Sequence, residues 1–333
     1  MLPLYGSWKA GKQACLSAWR GLRNLCGKDR GQGMGKELGI YLDEESRARI
    51  EAGTHNFYGR LIRAFEGRGF AVSLHDDSAS ARHQSARRPG YSLFHHHPPS
   101  HGRALQLRQT AILPFWHVEK ARSRAQFRLA RAEFRPDEID GAAAKGFFRF
   151  WRRKLIAEGG GDAGGHVLVL LQRDLLAPAG AAGLNAIEMI RATLDQERFR
   201  RVVLLPDPDA ALSEPEMQAL EALADGERVA LRRRGLGPLL AGCDYVVTQN
   251  APMALRAVLH RKPVILFAEA EFHHVCLHAG PGTLARAYRN VLSRRVAYAK
   301  YFYWFLKLNC INAGAPDAGE QILQSCRHFG WEL

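Results

Sequence analysis

Four polar clusters follow short apolar runs in the second half of the chain, and their residue types are those that bind anions and move protons. Gln172-Arg173-Asp174 follows residues 167–171, and Pro206-Asp207-Pro208-Asp209 follows 202–205. Gln249-Asn250-Ala251-Pro252 follows 245–248, which ends in Thr248, and Ala268-Glu269-Ala270-Glu271, then His273-His274, follows 264–267. If each run is a parallel strand, all four clusters lie at the carboxyl ends of one sheet, where open α/β sheets bind ligands. Asn250 stands where an N-cap would open a helix with Pro252 in its first turn. Backbone N–H groups and the helix dipole there would hold an anion such as a nucleotide phosphate; the alternative is that Asn250 only caps the helix.

Two histidine-bearing stretches admit a metal reading beside plainer ones. His95-His96-His97-Pro98-Pro99-Ser100-His101 puts His95 and His97 on one face of an extended chain, yet no carboxylate or cysteine has matching spacing. The other readings are an acceptor or phosphate contact and, ahead of both, an exposed loop shaped by the two prolines. Glu269, Glu271 and His273 alternate and would form a metal face in a strand; a loop at the substrate edge is the other reading. No metal is expected.

The elements that must position these residues are legible from periodicity. Residues 38–42 read as a strand, 46–65 as a helix stopped by Gly67 and Gly69, and 70–74 as a second strand, a unit that implies parallel pairing. Residues 76–88 read as a polar loop and 91–94 as a third strand, while 110–116 is apolar without clear periodicity. Residues 142–156 read as a basic aromatic helix. The Gly-rich run 159–165 is a linker. Beyond it, strands at 167–171, 202–205, 229–231, 245–248 and 264–267 alternate with helices at 184–194, 213–223, 236–241 and 252–259. Ser213 and Glu216 form a capping box. The fold expected is α/β, with two Rossmann-like domains, parallel sheets and helices on both faces. The divisions are a basic segment 1–35, a first domain 36–158 and a second domain 166–333 with a closing C-terminal helix.

Composition narrows the class. The chain has 333 residues, enough for two domains, and 47% hydrophobic content suits globular cores. A net charge of +14 calls for an anionic partner or reflects solvated helix faces. Six cysteines without C-x-x-C spacing read as reduced thiols. No run of about 18–20 apolar residues spans a bilayer, and no secretory signal opens the chain, so a cytoplasmic protein is expected. Trp8, Leu16, Trp19 and Arg23 belong to a basic, mildly amphipathic leader that would lie on an anionic membrane or be a disordered leader. The basic aromatic stretch 286–308 reads as a core-packing helix or as a lipid-facing surface, and the 142–156 helix could join that surface.

The segment from Asp244 to Ile265, with Thr248-Gln249-Asn250 before a helix that ends in Lys262-Pro263-Val264, resembles the capsule polysaccharide biosynthesis proteins that include β-Kdo transferases. Gln172, Arg173 and Asp174 resemble that family's motif after its opening strand, and residues 203–208 lie where it carries Lys-Pro-His-Pro. Asp207 replaces the family's His, Leu205 its Lys and Ala251 its Ser. The resemblance implies a GT-B fold that binds a nucleotide sugar, such as CMP-Kdo, in its second half. It implies an inverting, metal-independent displacement at the anomeric carbon, with a lipid-linked or saccharide acceptor. A carboxylate would serve as base, Asp174 or its competitor Glu271. Gln172, Arg173, Asp207, Thr248, Gln249, Asn250 and Glu269 would bind donor or substrate. The competing reading is a non-catalytic relative that binds polysaccharide or nucleotide and assists biosynthesis or export. A nucleic-acid binder rests on charge alone, with no recognition motif behind it, and is not expected.

Overall fold

The computed structural model describes residues 36–156, 164–178 and 184–333. The basic leader and most of the Gly-rich run lie outside the described residues, as do Cys15 and Cys26. In the first half come β1 (Glu37–Leu42), α1 (Glu44–Glu51), α2 (Asn56–Glu66), β2 (Ala71–Asp76), α3 (Ala79–Gln84) and β3 (Tyr91–His95). Then follow β4 (Ala104–Gln109), β5 (Phe115–Glu119), α4 (Arg128–Arg131) and α5 (Gly141–Leu155). Leu38, Ile40 and Leu42 of β1 are fully buried at the centre of a parallel β2-β1-β3-β4 array, and β5 adds antiparallel to β4.

The single helix expected over 46–65 is two helices. Asp43 caps the first, accepting from the Ser46 backbone at 2.7 Å, and Gly53 at φ +68 breaks the run in a left-handed turn. The loop expected over 76–88 holds α3, capped by Ser78.

The second half contains β6 (His166–Leu171), α6 (Ala186–Gln196), β7 (Arg201–Pro206), α7 (Glu214–Glu221), β8 (Val229–Leu231), α8 (Leu236–Gly242) and β9 (Cys243–Thr248). A 3-10 turn, α9 (Arg256–Leu259), β10 (Val264–Leu266) and β11 (Leu277–His278) complete it. Every strand pair is parallel, in the order β11-β10-β9-β6-β7-β8. Counted in chain order within this half, that is the 3-2-1-4-5-6 order of a Rossmann sheet read from its other edge. Residues 166–171 are buried throughout, as a central parallel strand covered on both faces must be. The chain winds to one side after β6 and to the other after β9. A crevice therefore opens between the carboxyl ends of those two strands.

The expected capping box forms and does more than close α7. Glu216 Oε2 accepts from the Ser213 backbone at 2.8 Å, while Oε1 accepts from the Leu175 backbone at 2.6 Å. The cap of α7 thus anchors the loop that carries Arg173 and Asp174.

The last elements are α10 (Leu284–Asn290), α11 (Tyr298–Phe302), a π-helical stretch Tyr303–Leu308, β12 (Ile311–Asn312) and α12 (Ala318–His328). Tyr301, Phe302, Trp304, Phe305 and Leu306 are buried in the core, so the core-packing reading of this stretch holds and the lipid-facing one does not for these side chains. The closing segment was expected in the second domain. Instead β12 pairs antiparallel with β5, and α12 packs on α2. Gly319 permits that contact, because a Cβ there would meet the Ala64 methyl at 3.2 Å. No described helix is long and apolar enough to cross a membrane.

A partly buried network braces the amino ends of the second sheet. Tyr245 Oη donates to Glu197 Oε2 at 2.9 Å, Arg200 Nη1 reaches the same oxygen at 3.0 Å, and Arg200 Nε donates to Asp244 Oδ2 at 2.6 Å. Burial alone would raise the Glu197 pKa, but the bonds from Tyr245 and Arg200 outweigh it and hold the group below its usual value. A depressed folded pKa gives stability that is present above the unfolded pKa and lost as pH falls through the folded one. Glu197→Gln should lower stability at pH 7 by about 1–2 kcal/mol. The gap between variant and parent should shrink below roughly pH 4, as followed by urea denaturation across pH.

Candidate functional site

At the crevice between β6 and β9, Asn250 is a junction rather than a cap. Its Oδ1 accepts from Gln172 Nε2 at 2.5 Å, its Nδ2 donates to the Glu269 carbonyl at 2.9 Å, and its own carbonyl accepts from Arg124 Nη1 at 2.9 Å. Three strand ends, from β6, β9 and β10, are thereby tied to a loop of the first half. The expected N-cap role is corrected: Ala251 occupies the cap position. Beyond the cap come a 3-10 turn and the four-residue α9, too short to present a helix dipole to an anion.

The positive charge at this place comes from Arg124, which sequence reasoning missed. Arg124 Nε donates to Glu271 Oε2 at 2.6 Å, with both side chains largely buried. Burial by itself would raise the Glu271 pKa; Arg124 first and His117 second hold it below its ordinary value. Glu271, one of the two expected bases, is therefore an ionised strut between the halves and a weak proton acceptor.

The loop that carries Arg124 is itself fixed by a buried carboxylate. Glu119 Oε2 accepts from the Arg128 backbone at 2.6 Å, and its Oε1 meets His117 Nδ1 at 3.1 Å. On the facing side, His273 and His274 donate from Nε2 to the carbonyls of Ala130 and Ala132, at 3.0 and 2.9 Å. His273 sits in a 3-10 turn, so the alternating Glu269–Glu271–His273 metal face does not form. Among the described residues no group of three His, Cys, Asp or Glu is placed to hold a metal ion.

The other expected residues fall into two sets. Thr248 is buried and structural: its Oγ1 donates to the Leu170 carbonyl at 2.8 Å and accepts from the Ala251 backbone at 3.1 Å. Gln249 turns to the Leu184 carbonyl, and Asp207 closes a local turn by accepting from the Asp209 backbone. Arg173 and Asp174 are exposed beside Gln172, with Asp174 at φ +59. An L-residue in that region is uncommon, and such strain concentrates at functional sites.

Next to Asn250 lies a cavity of about 460 Å³ between the halves. Ser123, Arg124 and Ala125 form one wall; Asn250, Glu269, the end of β10 and the turn from His278 to Pro281 form the other. Its volume falls in the range of small-molecule sites, and it combines an apolar floor with a few convergent polar groups.

The first sheet has a corresponding switch point between β1 and β3, and it too carries polar groups. Asp43 Oδ2 meets His95 Nδ1 at 3.0 Å. Desolvation lowers the His95 pKa although Asp43 opposes the shift, so the imidazole is neutral at pH 7. His96 beside it has φ 59, and its pKa is pushed down to about 3 by desolvation and by the neighbouring His95 and Arg108. The histidine stretch is thus the end of a central strand. The signal that could have placed Asp43 there was its position straight after the first strand.

No family model and no curated protein matches this sequence. Solved structures match in fold. The β-Kdo 2,7 transferase of KpsC from Thermosulfurimonas dismutans is 11% identical and superposes with a TM-score of 0.52 over 89% of this chain and 100% of that one. The β-Kdo 2,4 transferase of the same KpsC is 12% identical, with a TM-score of 0.47 over 81% of this chain and 90% of that one. A UDP-GlcNAc 2-epimerase from Neisseria meningitidis bound to UDP-GlcNAc is 10% identical, with a TM-score of 0.41 over 88% of this chain and 100% of that one.

Arg124→Ala would leave the Glu271 carboxylate buried without its partner and should cost about 3–5 kcal/mol. The double variant Arg124→Ala/Glu271→Ala should recover part of that loss. Chemical denaturation of the four proteins of this cycle measures the coupling. Because the Glu271 pKa is depressed, the coupling should be full above the usual glutamate pKa and fade as pH falls through the lowered one. With a TM-score of 0.52 at 11% identity, the likeness to the KpsC β-Kdo 2,7 transferase is one of fold: two Rossmann-like α/β domains.

Proposed function

We propose that this protein is a glycosyltransferase-like protein of surface-polysaccharide biosynthesis. It binds a nucleotide-linked sugar at the carboxyl edge of its second sheet and transfers the sugar to an acceptor held by the first. The observation that carries the reading is the cavity beside Asn250, which lies at a Rossmann switch point and draws its walls from both halves. A nucleoside phosphate would place its charge near Arg124 and the exposed Arg173, with its base over the apolar floor at Leu266 and Phe267. The β-Kdo transferase fold and the Asp244–Ile265 segment together favour a Kdo-type donor carried on CMP. The acceptor class in this reading is a lipid-linked saccharide, met at an anionic membrane face.

Two groups remain to take the acceptor proton once Glu271 is paired. Asp174 is an exposed carboxylate on the donor side. His95, neutral and oriented by Asp43, is the alternative on the acceptor side, favoured by the 3.0 Å bond that fixes its ring. In either case the oxygen of the acceptor hydroxyl bonds to the anomeric carbon as the nucleotide leaves with the electron pair of the old bond. Arg124 and Arg173 offset the charge that develops on the leaving phosphate.

Thermal melting of the purified chain with CMP, CDP, UDP and GDP tests the donor site. Saturation at about 100 times Kd adds about 2.7 kcal/mol to stability, and CMP should raise the melting temperature by a few degrees while the others do not. Asp174→Asn and His95→Gln should both keep the CMP shift, and the one that removes the base should abolish CMP release from CMP-Kdo. CMP binding without release in the parent would favour the non-catalytic relative, with Asp207 and Ala251 as its marks. No shift with any nucleotide would contradict the donor site.

A further inference from the structure

Helix α5 presents a cationic face that no ion pair neutralises among the described residues. The helix contains no Asp or Glu. Its capping Asp140 bonds to the Ala142 and Ala143 backbones. Ala144, Phe148 and Trp151 point into the core, and Lys145, Arg149, Arg152 and Arg153 are exposed together on the adjoining side, at the spacing that keeps residues on one helical face. Among the described residues none of these four forms an ion pair, and neither does Lys154, which lies over the Trp151 ring at 5.1 Å. Phe150, 51% exposed, lies on the flank next to Arg153, with the Lys154 ammonium 6.0 Å from its ring.

The turn after α9 extends this surface. The Arg261 guanidinium lies over the Phe148 ring of α5 at 5.5 Å, and Lys262 follows it. The field there is dense enough to be felt by a neighbour: the His260 pKa is pushed down to about 4 by desolvation, then by Arg152, Arg256 and Lys262. Residues 251–265 contain no acid either.

We propose that the exposed face of α5, with Arg261 and Lys262 beside it, is a docking surface for an anionic lipid bilayer. This deepens the functional reading above by naming the surface through which the protein would reach a lipid-linked acceptor. Charge complementarity selects the occupant. A cluster of four to eight cations matches the charge of a leaflet bearing anionic lipid. An exposed aromatic at the edge of the cluster can enter the headgroup region, whereas a plain anion-binding face has no use for it. Duplex nucleic acid would satisfy the charge but not the exposed Phe150.

Cosedimentation of the full chain with phosphatidylcholine vesicles, with and without 30–40% phosphatidylglycerol (roughly the charge density at which polybasic binding is strong), tests the proposal. Binding is expected only to the anionic vesicles and should weaken as salt rises. Each cation near the surface contributes about five-fold, so Arg149→Glu/Arg152→Glu/Arg153→Glu, which removes three cations and adds three anions, should lower partitioning by more than about 100-fold. The milder Arg149→Gln/Arg153→Gln should give a smaller loss, and Phe150→Ala about ten-fold at unchanged charge. All variants should keep the parent melting temperature and its nucleotide response, because these side chains lie outside the core and the cavity. A normal nucleotide shift with lost vesicle binding therefore separates this surface from the donor site. Parent-like vesicle binding by the folded triple variant would overturn the proposal. So would equal binding to neutral vesicles, or binding to duplex DNA but to neither kind of vesicle.

Discussion

The Arg124–Glu271 pair and the Asn250 carbonyl that shares Arg124 set the shape of the region between the two sheets. One guanidinium from the first half holds a carboxylate and a backbone oxygen of the second. The oxygen belongs to the residue that already ties Gln172 to the Glu269 carbonyl. Removing the guanidinium would leave a buried charge unpaired and release the loop of the first half from the Asn250 junction. Charges buried in this way contribute little net stability by themselves, since desolvation offsets their attraction. Their contribution is to geometry: they hold the two walls of the crevice to each other.

That geometry explains how the polar groups divide between architecture and chemistry. Glu216, Glu119 and Glu197 are each largely buried, each bonded to backbone or to Tyr and Arg, and each serves to hold a loop or a strand end. Asp174 and the Asp43–His95 pair differ. Asp174 is exposed in a left-handed turn, and Asp43 keeps its side chain half in solvent while fixing a neutral imidazole. The two lie at the carboxyl edges of different sheets, as expected if one handles the donor and the other the acceptor. Behind both, the central strands β1, β6 and β9 carry buried apolar side chains.

Most of the second half was legible in the sequence because its strands are continuous apolar runs and two of its helices, α6 and α7, carry capping boxes. Residues 167–171 and 245–248 could hardly be anything but buried parallel strands. The first half was harder to read. In β4 the inward positions include Gln106, and Arg108 follows, its guanidinium bonded to the His96 carbonyl, so the apolar pattern is interrupted where the strand nears the cleft. Gly53 split a helix whose apolar spacing runs straight through it. The return of β12 and α12 to the first sheet had no local signal, since pairing with β5 depends on contacts across nearly 200 residues. Arg124 was invisible for the same reason: its partner lies 147 residues away in the chain, and nothing in its own neighbourhood marks it among the many arginines. The expectation for Asn250 rested on a helix cap and on the resemblance of its segment, while the structure shows its side chain bonded to Gln172 and to the Glu269 carbonyl.

The central claim is that the crevice tied together by Asn250 and Arg124 is where a nucleotide-linked sugar sits. Hydrogen–deuterium exchange with and without CMP tests it most directly, because exchange reports local opening segment by segment. The account predicts slower exchange on CMP addition at residues 172–177, 249–254 and 267–281 and at the loop 120–126, with the amino ends of the second sheet unchanged. Protection confined to another surface, or unchanged exchange in those four segments at a CMP concentration that raises the melting temperature, would contradict it.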